Sequence, residues 1–274
     1  MLYLVATPIG NLGDLSTRAV ETLRAVDAIY CEDTRHTGLL LQHFGIQKPL
    51  RSLHTHNERE RTAEVVAALK DGKEIAYVSD AGMPGVSDPG AMLVEACQSE
   101  ELPCTVIPGA SAVLIAAVLS GLPAQPFSFF GFLPREAKPR REMLDAIAPI
   151  RHQVILYESP HRVQATLKDL LDRFGDGPAA VLRELTKKFE TVERGTLSSL
   201  IERFSEEPKG ECVICFVPAV PQQTDAPDLD ALLSELLQTE SVKDAAAIAA
   251  ERLELPKKQV YKRALELKER TQTV

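Results

Sequence analysis

The first 120 residues alternate short apolar runs with longer stretches in which apolar residues recur at helical spacing. The short runs, in which Val and Ile are frequent, predict buried strands, and the amphipathic stretches predict helices that cover them. Strands are predicted at residues 2–6, 28–31, 50–54, 75–79 and 105–107, and helices at 16–24, 34–44, 58–70, 89–99 and 110–120. Strand–helix alternation is typical of a parallel sheet with right-handed crossovers. Residues 1–121 are therefore predicted to form a parallel α/β domain.

A second α/β domain is predicted over residues 122–220, after the Leu122–Pro123 step. Its predicted strands are 127–132, 152–158, 178–182, 189–194 and 212–217, and its predicted helices are 140–148, 160–174 and 197–204. The strand at 189–194 follows the preceding strand too closely for a crossover helix, so this sheet is predicted to be mixed.

The remaining residues, 221–274, are predicted to be a linker and a small C-terminal helical domain. Residues 218–227, PAVPQQTDAP, have linker composition. Helices are predicted at 228–239, 241–253 and 256–270, with Ser241 as an N-cap and Pro256 in a first turn. The last two resemble a helix-turn-helix, an Ala-rich helix followed by a basic one. The alternative is a helical hairpin that packs on the rest of the protein.

Composition excludes several classes of protein. No stretch approaches the roughly 18 apolar residues of a membrane span, and MLYLVATPIG lacks the basic start of a signal peptide. A cytoplasmic protein without a membrane partner is therefore expected. Among the five cysteines only Cys212 and Cys215 have C-x-x-C spacing. They lie in a predicted strand, where an offset of three places them on opposite faces, so no metal site is expected.

Charge is distributed unevenly along the chain. The formal net charge of −8 disfavours bulk attraction to nucleic acid. Two segments nevertheless carry an excess of positive charge, which is suited to local contacts with RNA phosphates. Solvated charge on exposed helices is the alternative interpretation. The candidate RNA-binding residues are Arg135, Lys138, Arg140, Arg141, Lys257, Lys258, Lys262 and Arg263.

Three loops follow predicted strands at the edge where a parallel sheet binds its ligand. They are TPIGNLGD at 7–14, SDAGMPGVSDPG at 79–90 and PGASA at 108–112. Glycine allows close approach of the backbone, and proline stiffens the path. The second loop has two aspartates and no Lys or Arg, which is poorly suited to a bare phosphate. Asp80 or Asp88 is instead expected to accept hydrogen bonds from ribose hydroxyls or an amine.

Together these segments resemble the tetrapyrrole methylase superfamily and, within it, the methyltransferases of small-subunit ribosomal RNA. The similar stretches run in order from Ala6 to Val213: ATPIGNLGD, CEDTRHT, HNERER, VSDAGMPGVSDPG, VIPGASA, FFGFLPR, YESPHR, RELTKKFE and GECV. The resemblance implies the two-domain (class III) methyltransferase fold, a homodimer, and S-adenosylmethionine (SAM) bound between the two domains. It also implies 2′-O-methylation of cytidine 1402 in 16S rRNA of the small ribosomal subunit, with S-adenosylhomocysteine as product and no metal.

The resemblance also assigns cofactor-binding residues one by one. They are Pro8 in the first loop, Asp80, Gly82 and Met83 in the second, Ser111 and Ala112 in the third, and Tyr157 at the end of a strand. The chain departs from the wider superfamily at Ser79-Asp80-Ala81, where tetrapyrrole enzymes commonly have Gly-Asp-Pro. This departure favours the RNA branch.

A ribose hydroxyl is a weak nucleophile, so a group that takes its proton is expected. The catalytic candidates are Asp33, Asp88, Glu158 and Lys187, with Glu184 considered beside them. Lys187 acts as a base only if its pKa is depressed. The carboxylates have an alternative role as helix caps or as partners of Arg35, Arg162 and Arg183.

Two other functions remain open at this point. A precorrin C-methyltransferase shares the SAM domain, but its anionic ring calls for an arginine-lined cleft and gives no reason for a basic tail. A nucleic-acid-binding regulator would use residues 242–267 as a helix-turn-helix.

Overall fold

The computed structural model describes residues 1–219, 226–253 and 255–271, except the side chains at 226–228, 258 and 269–271. The chain divides into two compact units, Met1–Pro218 and Ala219–Val274. The predicted domain boundary near residue 121 lies inside the first unit and stays a prediction. None of the described helices is long and apolar enough to cross a membrane.

The first sheet has five strands that are all parallel, as the alternating pattern predicts, and their order is β3-β2-β4-β1-β5. Its strands are β1 (Leu2–Val5), β2 (Ala28–Cys31), β3 (Leu50–Ser52), β4 (Ile75–Val78) and β5 (Cys104–Ile107). Its helices are α1 (Thr17–Ala25), α2 (Thr34–His43), α3 (Glu58–Lys70) and α4 (Ala91–Ser99). Helix α5 (Ala112–Leu119) follows β5 but packs against the second sheet, described below.

The three central strands, β2, β4 and β1, are buried on both faces, which explains why they are nearly continuous apolar runs. Val5, Ile29 and Val78 pack on one face with residues of α1 and α2. Leu4 and Tyr77 pack on the other face with residues of α3 and α4. With both faces covered, the loops at the carboxyl ends of the strands are left to form a binding site.

The second sheet is mixed, as predicted. Its strands, in the order β6-β7-β10-β8-β9, are β6 (Phe127–Phe132), β7 (Gln153–Glu158), β8 (Pro178–Arg183), β9 (Thr191–Thr196) and β10 (Cys212–Phe216). Only β6 and β7 are parallel; the other pairs are antiparallel. Its helices are α6 (Ala137–Ile147), α7 (Val163–Phe174) and α8 (Leu197–Arg203).

Several boundaries in this region differ from the sequence prediction, and two of them have a clear local cause. Helix α6 begins at Ala137 and not at residue 140, because Pro139 falls in the first turn, where its missing N–H is tolerated. Strand β9 begins at Thr191 and not at residue 189, because the preceding residues form a turn. In that turn Glu190 Oε2 accepts the backbone N–H of Thr186 at 2.7 Å.

Cys212 and Cys215 lie on opposite faces of β10, as predicted. Cys212 packs with Ile214 and Leu156 in one core, and Cys215 packs with Ala116 in the core on the opposite face of β10. All five cysteines are free. Within the described part of the chain, no group of three or more His, Cys, Asp or Glu side chains is arranged to hold a metal ion.

The second unit contains α9 (Ala226–Leu236), α10 (Val242–Arg252) and α11 (Lys257–Thr271). Small side chains of α10, Ala246, Ala249 and Ala250, pack with Leu233 and Val260 in its core. Ser241 caps α10 as predicted, because its Oγ accepts the Asp244 N–H at 3.2 Å. Residues 220–225, most of the predicted linker, lie outside the described residues.

Candidate active site

The loops after β1 and β4 are joined at the carboxyl edge of the first sheet. Thr7 N–H donates to the Gly82 carbonyl at 2.9 Å, and Gly82 N–H donates to the Thr7 carbonyl at 3.1 Å. Thr7 Oγ1 also donates to the Ser79 carbonyl at 3.1 Å. Gly82 has a φ of 81°, a conformation that side chains disfavour. The first two of the three predicted loops therefore form one structure.

The loop after β5 lies against β1 because residue 109 is a glycine. A Cβ added to Gly109 would lie 2.9 Å from the Cβ of Ala6, too close for any larger residue without displacement. This loop ends at Ser111, the N-cap residue of α5, whose side chain makes no capping hydrogen bond. The hydroxyl of Ser111 is therefore not used to cap the helix.

These loops, together with the ends of β7 and β10, enclose a cleft of about 490 Å³, a size in the range of small-molecule sites. Of the seven predicted cofactor-binding residues, six line it: Asp80, Gly82, Met83, Ser111, Ala112 and Tyr157. Pro8 instead lines a neighbouring pocket of about 350 Å³. The two pockets share Ile9, Asp80, Ala81 and Glu211, so there is room for a second molecule beside the first.

One wall of the cleft is apolar and aromatic. Tyr157 packs edge-on against Phe129 and Phe132, with ring centroids 4.8 and 5.5 Å away. Val113 and Val213 complete this wall. Burial raises the pKa of Tyr157 to about 12, so its phenol is neutral at physiological pH.

The polar side of the cleft is acidic. Five carboxylates line it, Glu32, Asp80, Asp88, Glu158 and Glu211, and no Lys or Arg is among the described lining residues. Clustered carboxylates in a partly desolvated site attract a cationic ligand. The cleft is therefore suited to a positively charged small molecule with an apolar portion.

Asp33, the first catalytic candidate, is a helix cap and a partner of Arg35, which was the alternative role considered from the sequence. Its Oδ1 accepts the backbone N–H of Arg35 at 2.8 Å at the start of α2. Its Oδ2 pairs with the Arg35 guanidinium at 2.7 Å, and these bonds hold the Asp33 pKa well below its usual range. Asp33 is not among the residues that line the cleft.

Lys187 is held as a cation. Its Nζ lies 3.0 Å from Glu184 Oε1 and 2.6 Å from Glu211 Oε2. Burial by itself lowers the Lys187 pKa, but the bonds to the two carboxylates outweigh it, and the net shift is upward. The condition for Lys187 to act as a base, a depressed pKa, is therefore not met.

Glu158 lines the cleft but its carboxylate is already bonded. Its side chain is fully buried, with Oε2 accepting the Thr166 hydroxyl at 2.6 Å and Oε1 accepting the Ser159 N–H at 2.8 Å. Arg162 lies 3.6 Å from Oε1. These partners favour a role for Glu158 in fixing the end of β7.

Asp88 and Glu32 are the remaining acidic candidates. Burial and the nearby charge of Asp80 raise the pKa of Asp88. Glu32, just after β2, was missed by the sequence analysis, which chose its neighbour Asp33 from the motif CEDTRHT. The available signal was a carboxylate at the end of an apolar strand. Glu32 and Asp33 both fit that signal, and they differ in the direction of their side chains: Glu32 lines the cleft and Asp33 does not.

The basic candidates fall into two groups. Arg135, Lys138, Arg141, Lys257 and Lys262 are exposed. Arg140 is only 15% exposed and bonds to Asp169 at 2.6 Å and Thr166 at 3.0 Å, so its guanidinium is engaged inside the protein. Arg263 bonds to Asp230 at 2.8 Å and Glu266 at 2.9 Å. The Lys258 side chain lies outside the described residues.

Residues 1–201 match the family model of tetrapyrrole (corrin/porphyrin) methylases. Residues 223–268 match a model described as the RsmI C-terminal HTH domain. A Synechocystis protein named ribosomal RNA small subunit methyltransferase I is 47% identical, and the match covers 97% of this chain and 98% of that protein. An Escherichia coli O157:H7 protein of the same name is 45% identical, with 97% and 94% covered.

Solved structures share the fold at low sequence identity. Diphthine synthase matches with a TM-score of 0.62 and 18% identity, over 79% of this chain and 90% of that one. Uroporphyrin-III C-methyltransferase from Thermus thermophilus matches with a TM-score of 0.58 and 20% identity, over 79% and 94%. These likenesses concern the fold alone, and they agree with the α/β architecture predicted from the sequence.

Proposed function

We propose that this chain, which belongs to the tetrapyrrole methylases and among them to the ribosomal RNA small subunit methyltransferase I family, methylates 16S rRNA with SAM as donor. The proposed reaction is methylation of the ribose 2′-oxygen of cytidine 1402, which releases S-adenosylhomocysteine. The relatives' shared name supports an rRNA substrate. The observation that carries the proposal is the cleft itself, whose acidic side and apolar wall suit a cationic cofactor with an apolar portion.

The residues of the cleft fit SAM. Asp80 supplies negative charge for its ammonium group, while Met83, Ala112 and Tyr157 supply apolar contact. Gly82 and Gly109 bring the loop backbones close enough to bond to the ligand. When bound, SAM supplies a methyl group on positively charged sulfur. The chain then has to orient the acceptor, exclude water and receive a proton.

The precorrin alternative is less well supported. A ring that carries several carboxylates would meet like charges along the acidic side of this cleft. In the neighbouring pocket Lys187 is already paired with Glu184 and Glu211, so it offers little compensation to such a ring. The regulator alternative gives no reason for the cleft or for a methylase match over residues 1–201.

Exposed basic residues support contact with RNA phosphates. Arg135, Lys138 and Arg141 lie on or just before α6, and Lys257 and Lys262 lie on α11. Such contacts position the substrate, while a nucleotide turned out of its stack is read in the site. The proposal includes a cytoplasmic homodimer, as the family resemblance implies, and requires no metal.

The test is methyl transfer from radiolabelled SAM to small ribosomal subunits that lack the modification, followed by mapping of the label. We expect label on one ribose 2′-oxygen, at cytidine 1402. Subunits that already carry the modification are the control and should accept none. Label on a base, on another nucleotide, or on no RNA while SAM still binds would contradict the proposal.

A further inference from the structure

We propose that Glu32 is the general base that removes the proton from the attacking ribose hydroxyl. This inference rests on the function proposed above and names the residue that acts at that site. Neither the sequence motifs nor the comparisons single it out.

The reaction requires a proton acceptor in the cleft. As the ribose oxygen forms its bond to the methyl carbon, the carbon–sulfur bond breaks and its electron pair stays on sulfur, which becomes neutral. The hydroxyl proton must leave at the same time, and in the proposal it passes to the Glu32 carboxylate. A positioned base of this kind typically accelerates such a step by about 100-fold to 10,000-fold.

Glu32 is placed where such a base is needed. It follows Cys31, the last residue of β2, at the carboxyl edge of the sheet, and it lines the cleft. Strand β4 is the neighbour of β2, so the loop that carries Asp80 lies beside it. Asp80 Oδ1 in turn accepts the Asp33 N–H at 3.2 Å, which ties the segment after β2 to that loop.

One oxygen of Glu32 is buried without a partner. Oε1 has no hydrogen bond to any group in the described part of the chain. A buried carboxylate oxygen without a donor is disfavoured, and it is satisfied when a hydroxyl donates to it. The substrate hydroxyl is a donor that the proposed reaction brings to this cleft.

The surroundings of Glu32 strengthen it as a base. Asp80 and Asp88 face it from the loop after β4, Glu58 faces it from α3, and the neutral phenol of Tyr77 lies nearby. Burial and these carboxylates raise the Glu32 pKa to about 7, against a smaller opposite effect of the Asp80 backbone amide. A carboxylate of that strength accepts a proton more readily than an ordinary one.

The other candidates are engaged elsewhere. Asp33 pairs with Arg35, Lys187 is a cation, and both Glu158 oxygens have donors within the chain. Asp88 remains, and its charge raises the proton affinity of Glu32. Asp88 is therefore assigned an electrostatic role, and this difference can be tested.

The experiment compares single-turnover methyl transfer by the full chain and two variants across pH 5.5–9, with SAM affinity measured by calorimetry. Glu32→Gln should transfer methyl at least about 100-fold more slowly and lose the rise of rate with pH, while SAM affinity changes by less than about fivefold. Asp88→Asn should retain transfer at high pH, with the rise shifted to lower pH, because one repelling charge is gone.

Glu95→Gln, an exposed change on α4, is the matched control and should behave as wild type. Glu32→Asp, which retains a carboxyl group with a shorter reach, should transfer slowly but keep the rise with pH. An unchanged rate in Glu32→Gln would overturn the inference, as would loss of the pH-dependent rise in Asp88→Asn alone. A wild-type chain that binds SAM but does not label small subunits would instead refute the proposed function.

Discussion

Glu32 binds its proton more tightly in the folded chain than an ordinary glutamate does, and this difference links its charge to stability. Its pKa is raised to about 7 from 4.5, chiefly by burial and by Asp88 and Asp80. The stability that this raised pKa contributes is fully present below the unfolded pKa and is lost as pH rises through about 7. Above that pH the fold holds an unfavourable buried charge.

Replacing Glu32 with Gln should therefore stabilise the ligand-free protein at pH 8 and change it little at pH 4.5. We expect a gain of about 2 kcal/mol in the free energy of unfolding at pH 8. Urea unfolding of both proteins at the two pH values measures it, with Glu95→Gln as the charge-matched control. Equal stability of wild type and Glu32→Gln at pH 8 would show that the ionised Glu32 carboxylate does not destabilise the fold.

At this scale the sequence indicates loops better than it indicates single side chains. The composition of residues 79–90 and 108–112 indicates two ligand-binding loops, because Gly and Pro constrain the backbone path. Met83 and Ser111 within them were singled out by the family resemblance, and the structure places both at the cleft with Asp80. The choice between Glu32 and Asp33 as the acid in the cleft depends on which of these two adjacent side chains turns toward α2 and which turns toward the cleft. That direction is set by the capping bond to Arg35, which no local pattern distinguishes from a catalytic placement.

Among the elements, β7, α6 and α7 are joined by one chain of buried polar contacts. Thr166 of α7 donates to Glu158 Oε2 at 2.6 Å, and its oxygen accepts a bond from Arg140 of α6 at 3.0 Å. Glu158 ends the strand that carries Tyr157 into the cleft. The network therefore connects the packing of two helices to the position of a cleft residue.

Thr166→Val should destabilise the protein by about 2–3 kcal/mol, because it leaves a fully buried carboxylate with one donor fewer at nearly constant volume. Thr166→Ser keeps the hydroxyl and should lose less than about 1 kcal/mol. Chemical denaturation of the three proteins at pH 7 measures the difference. If Val and Ser proved equally destabilising, the lost methyl packing and not the hydrogen bond would be the cause.

The bounds of helices and strands were predictable where the spacing of apolar residues defines them. The strand at 127–132 and the helix at 58–70 have the predicted bounds. The start of α6 and the start of β9 do not, because Pro139 is compatible with a first turn and because Glu190 closes a turn through its side chain. The first error occurs where a proline lies within a helix, and the second where a side-chain hydrogen bond closes a turn in an otherwise strand-like stretch. The strand orders depend on long-range packing and were not derivable from that pattern.

The whole molecule divides into two compact units, and the cleft and the basic helix α11 lie in different ones. All the described residues of the cleft lie in Met1–Pro218, which has its own hydrophobic cores. The exposed lysines Lys257 and Lys262 lie in Ala219–Val274, whose helices share a separate core. Cofactor binding and part of the RNA contact are therefore expected to be separable.

A chain that ends at Pro218 should bind SAM with an affinity within about threefold of the full chain. It should bind small ribosomal subunits at least about 10-fold more weakly, with a shallower dependence on salt, because phosphate contacts release counterions. Titration calorimetry measures the first quantity, and filter binding between 50 and 300 mM KCl measures the second. Loss of SAM binding would mean that the cleft needs the second unit.

The full-length double variant Lys257→Gln, Lys262→Gln is the matched control for that truncation. Each lysine that touches a phosphate should lower the slope of log affinity against log salt by about 0.7–0.9. Arg263→Gln should leave the slope unchanged, since that guanidinium already bonds to Asp230 and Glu266, and should instead lower the stability of the helical unit. A wild-type slope in the double variant would favour the other interpretation of these lysines, as solvated charge on an exposed helix.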